Sequence, residues 1–115
     1  MIGQSTTTTD ARVIYVGVPT REEALTIGRT LVKERLAGAA NVVPDVTSIF
    51  WWDGALHERS EATLILFTLA ANLEAATARI QALHSYVVPG IKIWTISGGS
   101  EAWLAWLRAE ARPAL

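Results

Sequence analysis

Asp53-Gly54 is the dipeptide that most constrains what this chain can fold into. A two-residue type I′ turn needs φ > 0 at both central residues. Glycine adopts that freely, and aspartate more readily than most. Strand-forming residues flank the pair: Val46, Thr47, Ile49, Phe50, Trp51 and Trp52 before it, then Thr63, Ile65 and Phe67 after it. Each arm can run about twelve residues, roughly 40 Å of ribbon at ~3.3 Å per residue. A compact domain of about 100 residues has a radius of gyration near only ~13 Å. The ribbon therefore overruns its own domain. Its apolar tip, Phe50, Trp51 and Trp52, needs cover from elsewhere, and another copy of the chain is the economical source.

The remaining segments fall into a simple order. Residues Arg12 to Val18 form a short, mostly apolar run that reads as a buried first strand, closed by Pro19. Thr20 with Glu23 forms a capping box. The helix it opens puts Ala24, Ile27, Gly28 and Leu31 on one face, runs to about Leu36 and has Gly38 beyond it as a stop. Pro44 cannot donate to a ladder, so a kink or bulge is expected at Pro44-Asp45. Asn72 is placed to cap a second helix with Leu73, Ala76, Ile80 and Leu83 inward, ending near His84-Ser85. Pro89-Gly90 is a turn, and Ile91 to Ile96 a strand. Ser100 caps a third helix bearing Trp103, Trp106 and Leu107, closed off by Pro113. Strand, helix, hairpin, helix, strand, helix is an α+β, ferredoxin-like βαββαβ sandwich with a long β-hairpin and a C-terminal helix. One sheet face has no cover within the chain, a second argument for self-association.

A chain of 115 residues without a linker is expected to be one domain, 12–115, behind a flexible tail over 1–11. Charged residues are 18% of the chain, below the usual share of about a quarter, which points to surface buried in an assembly. A net charge of −1 leaves no basic footprint for nucleic acid. Cysteine is absent, which excludes disulfides and thiolate sites. The apolar run from Ala62 to Ala71 is too short to span a membrane. Met1 to Asp10 has neither the basic start nor the apolar centre of a signal peptide, so a cytoplasmic protein is expected.

Several residues are candidates for chemistry. His84 and Tyr86 stand at a helix end: they are a cleft pair for an ion or small molecule, or His84 serves the helix C-terminus. Glu61 precedes an apolar stretch, where burial would raise its pKa; alternatively it pairs with Arg59, Arg35 or a neighbouring subunit. Glu58 and Glu61, three apart on one strand, face opposite ways and are no acid/base pair. His57, just past the turn, is expected in solvent. Ser97-Gly98-Gly99-Ser100 is a plain turn with an N-cap, or a weak anion cradle. No Ser-His-Asp set, phosphate loop or zinc spacing is present, so the expectation is not an enzyme, with no catalytic residue and no dedicated metal ligand.

Five segments carry a family resemblance: Glu34-Arg35-Leu36-Ala37, Asn41-Val42-Val43-Pro44, Val46 to Gly54, His84-Ser85-Tyr86-Val87-Val88-Pro89, and Ala102 to Leu107. In this order, over about residues 12 to 108, the chain resembles the CutA divalent-cation-tolerance proteins. The resemblance implies a ferredoxin-like protomer in a homotrimer, hairpins wrapped around neighbours, and an architecture similar to the PII signalling proteins. It also implies a non-enzymatic role linked to divalent metal ions. Against that family pattern, Ala39 stands where a cysteine is usual, Phe67 where a lysine is, Val87 and Gly90 where glutamates are, and Ser85 where a proline is. Glu61, His84 and Tyr86 stand at matching positions and become the expected lining of intersubunit clefts. Any divalent ion held there, Cu, Zn or Mn, would have oxygen and nitrogen ligands only, and would bind weakly. The alternative is a PII-like signalling or scaffold module that binds a metabolite or a partner protein, whose identity the residues do not give.

Overall fold

The computed structural model describes residues 9–113. Within them lie strand β1 (Ala11–Val18), helix α1 (Arg21–Lys33), strands β2 (Ala39–Trp52) and β3 (Ala55–Leu69), helix α2 (Leu73–Leu83), strand β4 (Ile91–Thr95) and helix α3 (Glu101–Glu110). The sheet order is β2-β3-β1-β4, every neighbouring pair antiparallel. This is the ferredoxin-like arrangement read from the element order. Most of the 1–11 tail lies outside the described residues, but β1 starts inside it. Ala11 is buried, and Asp10 pairs with Arg108 of α3 at 3.1 Å.

Alternation along the strands decides the layers. Ile14, Val16 and Val18 of β1 and Leu64 and Leu66 of β3 point to one face and are fully buried against Ala24, Ile27 and Leu31 of α1 and Ala76 and Ile80 of α2. Burying each of the Val, Leu and Ile side chains contributes about 1.5–3 kcal/mol. The opposite face carries Val13, Tyr15, Gly17, Thr63, Ile65 and Phe67 in register. Helix α3 covers only one end of it, where Leu107 packs with Ala11, Phe67 and Trp103. The remainder of that face has no layer over it among the described residues.

Three local expectations are corrected. Helix α1 stops at Lys33, not Leu36, and Gly38 is not its stop. Arg35 takes the left-handed turn itself, at φ 61°, while Leu36 N–H bonds back to the Leu31 carbonyl at 3.0 Å and Arg35 N–H to that of Val32 at 3.0 Å. That is the Schellman ending with a non-glycine residue. Gly38 is required for a different reason: a Cβ there would lie 2.8 Å from Leu107 Cδ1 of α3. Asn72 precedes α2 but makes no side-chain cap. Its amide is buried and donates instead to the Ala111 carbonyl at 2.9 Å and Thr68 Oγ1 at 3.3 Å, and Thr68 in turn donates to the Leu36 carbonyl at 2.6 Å. A polar side chain with two buried partners in reach is drawn inward rather than spent on a helix end.

The ribbon behaves as its turn requires. Asp53 and Gly54 have φ of 51° and 76°, the type I′ signature. The ladder slips between Val43 and Val46, with Asp45 at φ 60°, so the bulge sits at Pro44-Asp45 as expected. It is also the border of the domain. From Val46 to Trp52, about 20 Å at ~3.3 Å per residue, the ribbon is two-stranded, because β1 pairs with β3 only from Ala62 onward. The molecule measures 49 × 35 × 22 Å with a radius of gyration of 15.5 Å.

Candidate functional site

Where the ribbon leaves the sheet, its open face and the segment between α2 and β4 enclose a pocket of about 720 Å³. Three strands supply its floor. β1 gives Tyr15 and Gly17, β3 gives Arg59, Glu61 and Thr63, and β2 gives Val46, Ser48 and Phe50, all on the face that the helices leave free. Lys92 of β4 and residues Ser85 to Val88 form the rim. The sheet twist and the bulge make the surface concave.

The rim is held by a chain of polar contacts that starts in α1. Glu23 Oε2 accepts from Ser85 N–H at 2.8 Å. His84 Nδ1 accepts from Tyr86 N–H at 3.0 Å, which places the ring proton on Nε2; that nitrogen donates to the Gly17 carbonyl at 2.8 Å. Glu23 lies 3.7 Å from His84 Nδ1. The same nitrogen accepts from Tyr86 N–H, and Glu23 and His84 make no hydrogen bond to each other. The His84 side chain has no exposure to solvent. It serves neither the pocket surface nor the last carbonyls of α2; it fastens the rim to β1.

With the rim fixed, the Tyr86 hydroxyl donates to Glu61 Oε2 at 2.5 Å. Burial, then the hydrogen bond to Glu61 and the charge of that carboxylate, push the Tyr86 hydroxyl above the ordinary phenol range, while Arg59 acts against them. Two of the residues singled out in the sequence, Glu61 and Tyr86, thus meet in the pocket, and His84 stands behind them. Of the partners weighed for Glu61, Arg35 is elsewhere, paired with Glu110 at 2.9 Å. Arg59 lies close enough to Tyr86 to lower its pKa but takes part in none of the ion pairs among the described residues.

The hairpin tip divides between two faces. Phe50 and Trp52 line the pocket, and Phe50 stacks on His57 with ring centroids 5.5 Å apart at 14°. His57 is therefore half-buried, not free in solvent. Trp51 points to the other face, 74% exposed, opposite Leu56 at 61%. Sequence reasoning missed Glu23 and Lys92. Glu23 was absorbed into the capping motif, where only Thr20 performs its half, accepting from Glu23 N–H at 3.1 Å. Lys92 was one polar residue in an edge strand, and the alternation that turns it toward Tyr15 was the only available signal.

Among the described residues no three of His, Cys, Asp or Glu come together. The donors in the pocket do not fit a bare divalent ion: Glu61 is engaged by Tyr86, both His84 nitrogens are occupied, and Arg59 and Lys92 stand beside them. No helix among the described residues is long and apolar enough to cross a membrane.

The sequence pattern of the CutA1 divalent ion tolerance protein family matches residues 12–110. The chain is 41% identical over 96 residues to the divalent-cation tolerance protein CutA of Thermus thermophilus, covering 84% of this chain and 93% of that one. It is 37% identical over 109 residues to the chloroplastic protein CutA of Arabidopsis thaliana, covering 95% of this chain. This chain spans 60% of the length of that plant relative and 61% of a chloroplastic CutA 1 from Oryza sativa. Among solved structures, CutA1 from Oryza sativa superposes with a TM-score of 0.88 at 34% identity, covering 96% of this chain and 100% of that one. The Cut A1 protein of Thermus thermophilus superposes with a TM-score of 0.85 at 39% identity, covering 87% and 97%.

Proposed function

Because this chain belongs to the CutA1 divalent ion tolerance family, we propose that it acts in tolerance to divalent metal ions as a non-enzymatic homotrimer. The observation that carries the assembly is the overhang. Ile49, Trp51 and Leu56 stand on one face of the ribbon beyond the bulge, each more than half exposed in the single chain. Tyr15 and Trp94, with ring centroids 5.2 Å apart, stand on the uncovered sheet face. Both are apolar surfaces of the kind that a second copy covers. In the trimer, Trp51, Trp52 and Phe50 anchor the interface, and three equivalent clefts near Glu61, Tyr86 and the buried His84 bind a small ligand weakly.

A binding role rather than a catalytic one follows from what the cleft residues already do. Among the described residues the only carboxylate in it holds a phenol, and the histidine behind it holds the backbone. A divalent ion held directly would need donors from more than one protomer. Within this reading the protein works in the cytoplasm, which fractionation of cells carrying the tagged chain would test.

Sedimentation equilibrium tests the assembly. Three chains at micromolar concentration are expected, and dissociation on replacing both Trp51 and Trp52 with Ser. A single-chain species in the wild type would end the proposal. Calorimetric titration with Cu²⁺, Zn²⁺ and Mn²⁺ tests direct binding, expected no tighter than millimolar. Loss of metal tolerance in cells lacking the chain, restored by supplying it, tests the role.

A further inference from the structure

We propose that His84 is a proton-operated latch on the segment between α2 and β4, closed while its ring is uncharged and released when the ring takes up a proton. The proposal concerns how the rim moves and does not depend on what the cleft binds. Residues 84–90 have neither helix nor strand of their own. Polar contacts fasten the start of this segment to the domain. Ser85 N–H donates to Glu23 Oε2 at 2.8 Å, His84 Nε2 donates to the Gly17 carbonyl at 2.8 Å, and the Tyr86 hydroxyl donates to Glu61. Inside the segment, Tyr86 N–H donates to His84 Nδ1 at 3.0 Å and so fixes how the Tyr86 ring is presented to Glu61.

Nδ1 accepts while Nε2 donates, a pattern that only the uncharged imidazole can make. Protonation turns Nδ1 into a donor that faces the Tyr86 N–H, and that hydrogen bond is lost. An acceptor for the new proton stands beside it: Glu23 Oε2, at 3.7 Å, just beyond hydrogen-bond reach. A small rotation of the ring closes the gap, so His84 exchanges the Tyr86 backbone for the Glu23 carboxylate. The surroundings accept the charge. Glu23 faces the ring from α1. Glu61 of β3 lies behind Tyr86 and alongside Gly17, with Oε1 3.4 Å from where a Cβ on Gly17 would stand. The Tyr86 ring is 5.0 Å from the His84 ring. The C-terminal end of α2, with no basic side chain in its last turn, adds partial negative charge. Arg59, which acts on Tyr86 from β3, opposes these groups. The His84 side chain has no exposure even in the single chain. No sister chain touches the ring, and the exchange takes place inside each protomer whatever covers the sheet face. Once the Tyr86 N–H is freed, the phenol loses the backbone anchor that aims it at Glu61, and the rim loosens.

The test follows the full chain in its assembled state by NMR from about pH 8 to 5, where histidine ordinarily changes charge. It reads the His84 ring nitrogens and the protection of the Tyr86 amide against exchange. The two should share one midpoint: as the ring gains its proton, Tyr86 loses about tenfold in protection, the loss of one hydrogen bond. The amides of Ile27 and Leu31 in α1 should keep theirs. Glu23→Gln retains an oxygen for the Ser85 N–H but removes the charge, and should move the midpoint down by about one pH unit. Glu22→Gln, which removes the same charge at the exposed neighbouring position, should leave the midpoint in place. The chain has two histidines, His57 and His84; His84→Gln identifies the ring signals and should make Tyr86 protection independent of pH. Constant protection of Tyr86 in the wild type, a ring midpoint unlinked to it, or an unmoved midpoint in Glu23→Gln would each overturn the latch. The readings of the cleft and of the assembly would stand apart from that result.

Discussion

The Tyr86 hydroxyl donates to Glu61 Oε2 at 2.5 Å, joining the segment after α2 to the middle of β3 across 25 residues of sequence. That contact closes one side of the cleft and takes up the one carboxylate that the described residues of this chain place in it. Replacing Tyr86 with Phe removes the donor while keeping the ring. A loss of about 1–2 kcal/mol is expected, as for a hydrogen bond to a charged, partly solvated group. Urea unfolding of the two proteins side by side measures it, and equal midpoints would show that the contact contributes nothing.

The same hydroxyl sets an alkaline limit. Its pKa is raised in the folded chain by burial and by Glu61. An unfolded tyrosine ionises near ~10. Between the two values the unfolded chain gives up a proton that the folded chain keeps, so stability falls as pH rises through that window. The contribution is whole below the unfolded value and gone above the folded one. The chain has two tyrosines, Tyr15 and Tyr86. Tyrosinate absorbance should therefore show a late component that Tyr86→Phe removes.

His84 is the pin behind that contact. His84→Ala leaves the Tyr86 N–H and the Gly17 carbonyl without their partner and opens a void. A destabilisation of about 2–4 kcal/mol is expected. The amide of Tyr86 should exchange with solvent faster than amides of the α1 core. An unchanged exchange rate at Tyr86 would mean that the ring does not hold the rim.

Gly38 and Leu107 make a matched pair. A Cβ at residue 38 would come within 2.8 Å of Leu107 Cδ1, a fully buried atom group. Gly38→Ala should cost about 1–3 kcal/mol through overpacking. Leu107→Ala alone should cost about 2–5 kcal/mol. Together they should cost less than the two added, because the shortened side chain clears the space. Additive losses would place the strain elsewhere.

Assembly should be visible in melting. If the ribbon tips are covered only by sister chains, folding and association are linked, and the melting temperature rises with protein concentration. Trp51→Ser should lower the melting temperature and steepen that dependence. A wild-type melting temperature independent of concentration would argue that the tip is stable uncovered.

The sequence by itself determined the skeleton. Asp53-Gly54 fixed a hairpin because few dipeptides accept two positive φ angles. Pro44 fixed a bulge because it lacks an N–H. Ala24, Ile27, Gly28 and Leu31 fixed the buried face of α1 because helical spacing brings them to one side, and all four are buried. These are local rules, satisfied within a few residues. Glu61 and Tyr86 could be named as site residues, but their meeting could not be read, since it depends on how the loop after α2 folds back onto β3. Only the tertiary structure decided the roles of His84, Glu23, Asn72 and Gly38. Each has a local use that the sequence suggests and a distant partner that it does not: Gly17, Ser85, Ala111 and Leu107. A buried polar group or a crowded Cα answers to whatever the fold packs against it, and no spacing along the chain encodes that neighbour.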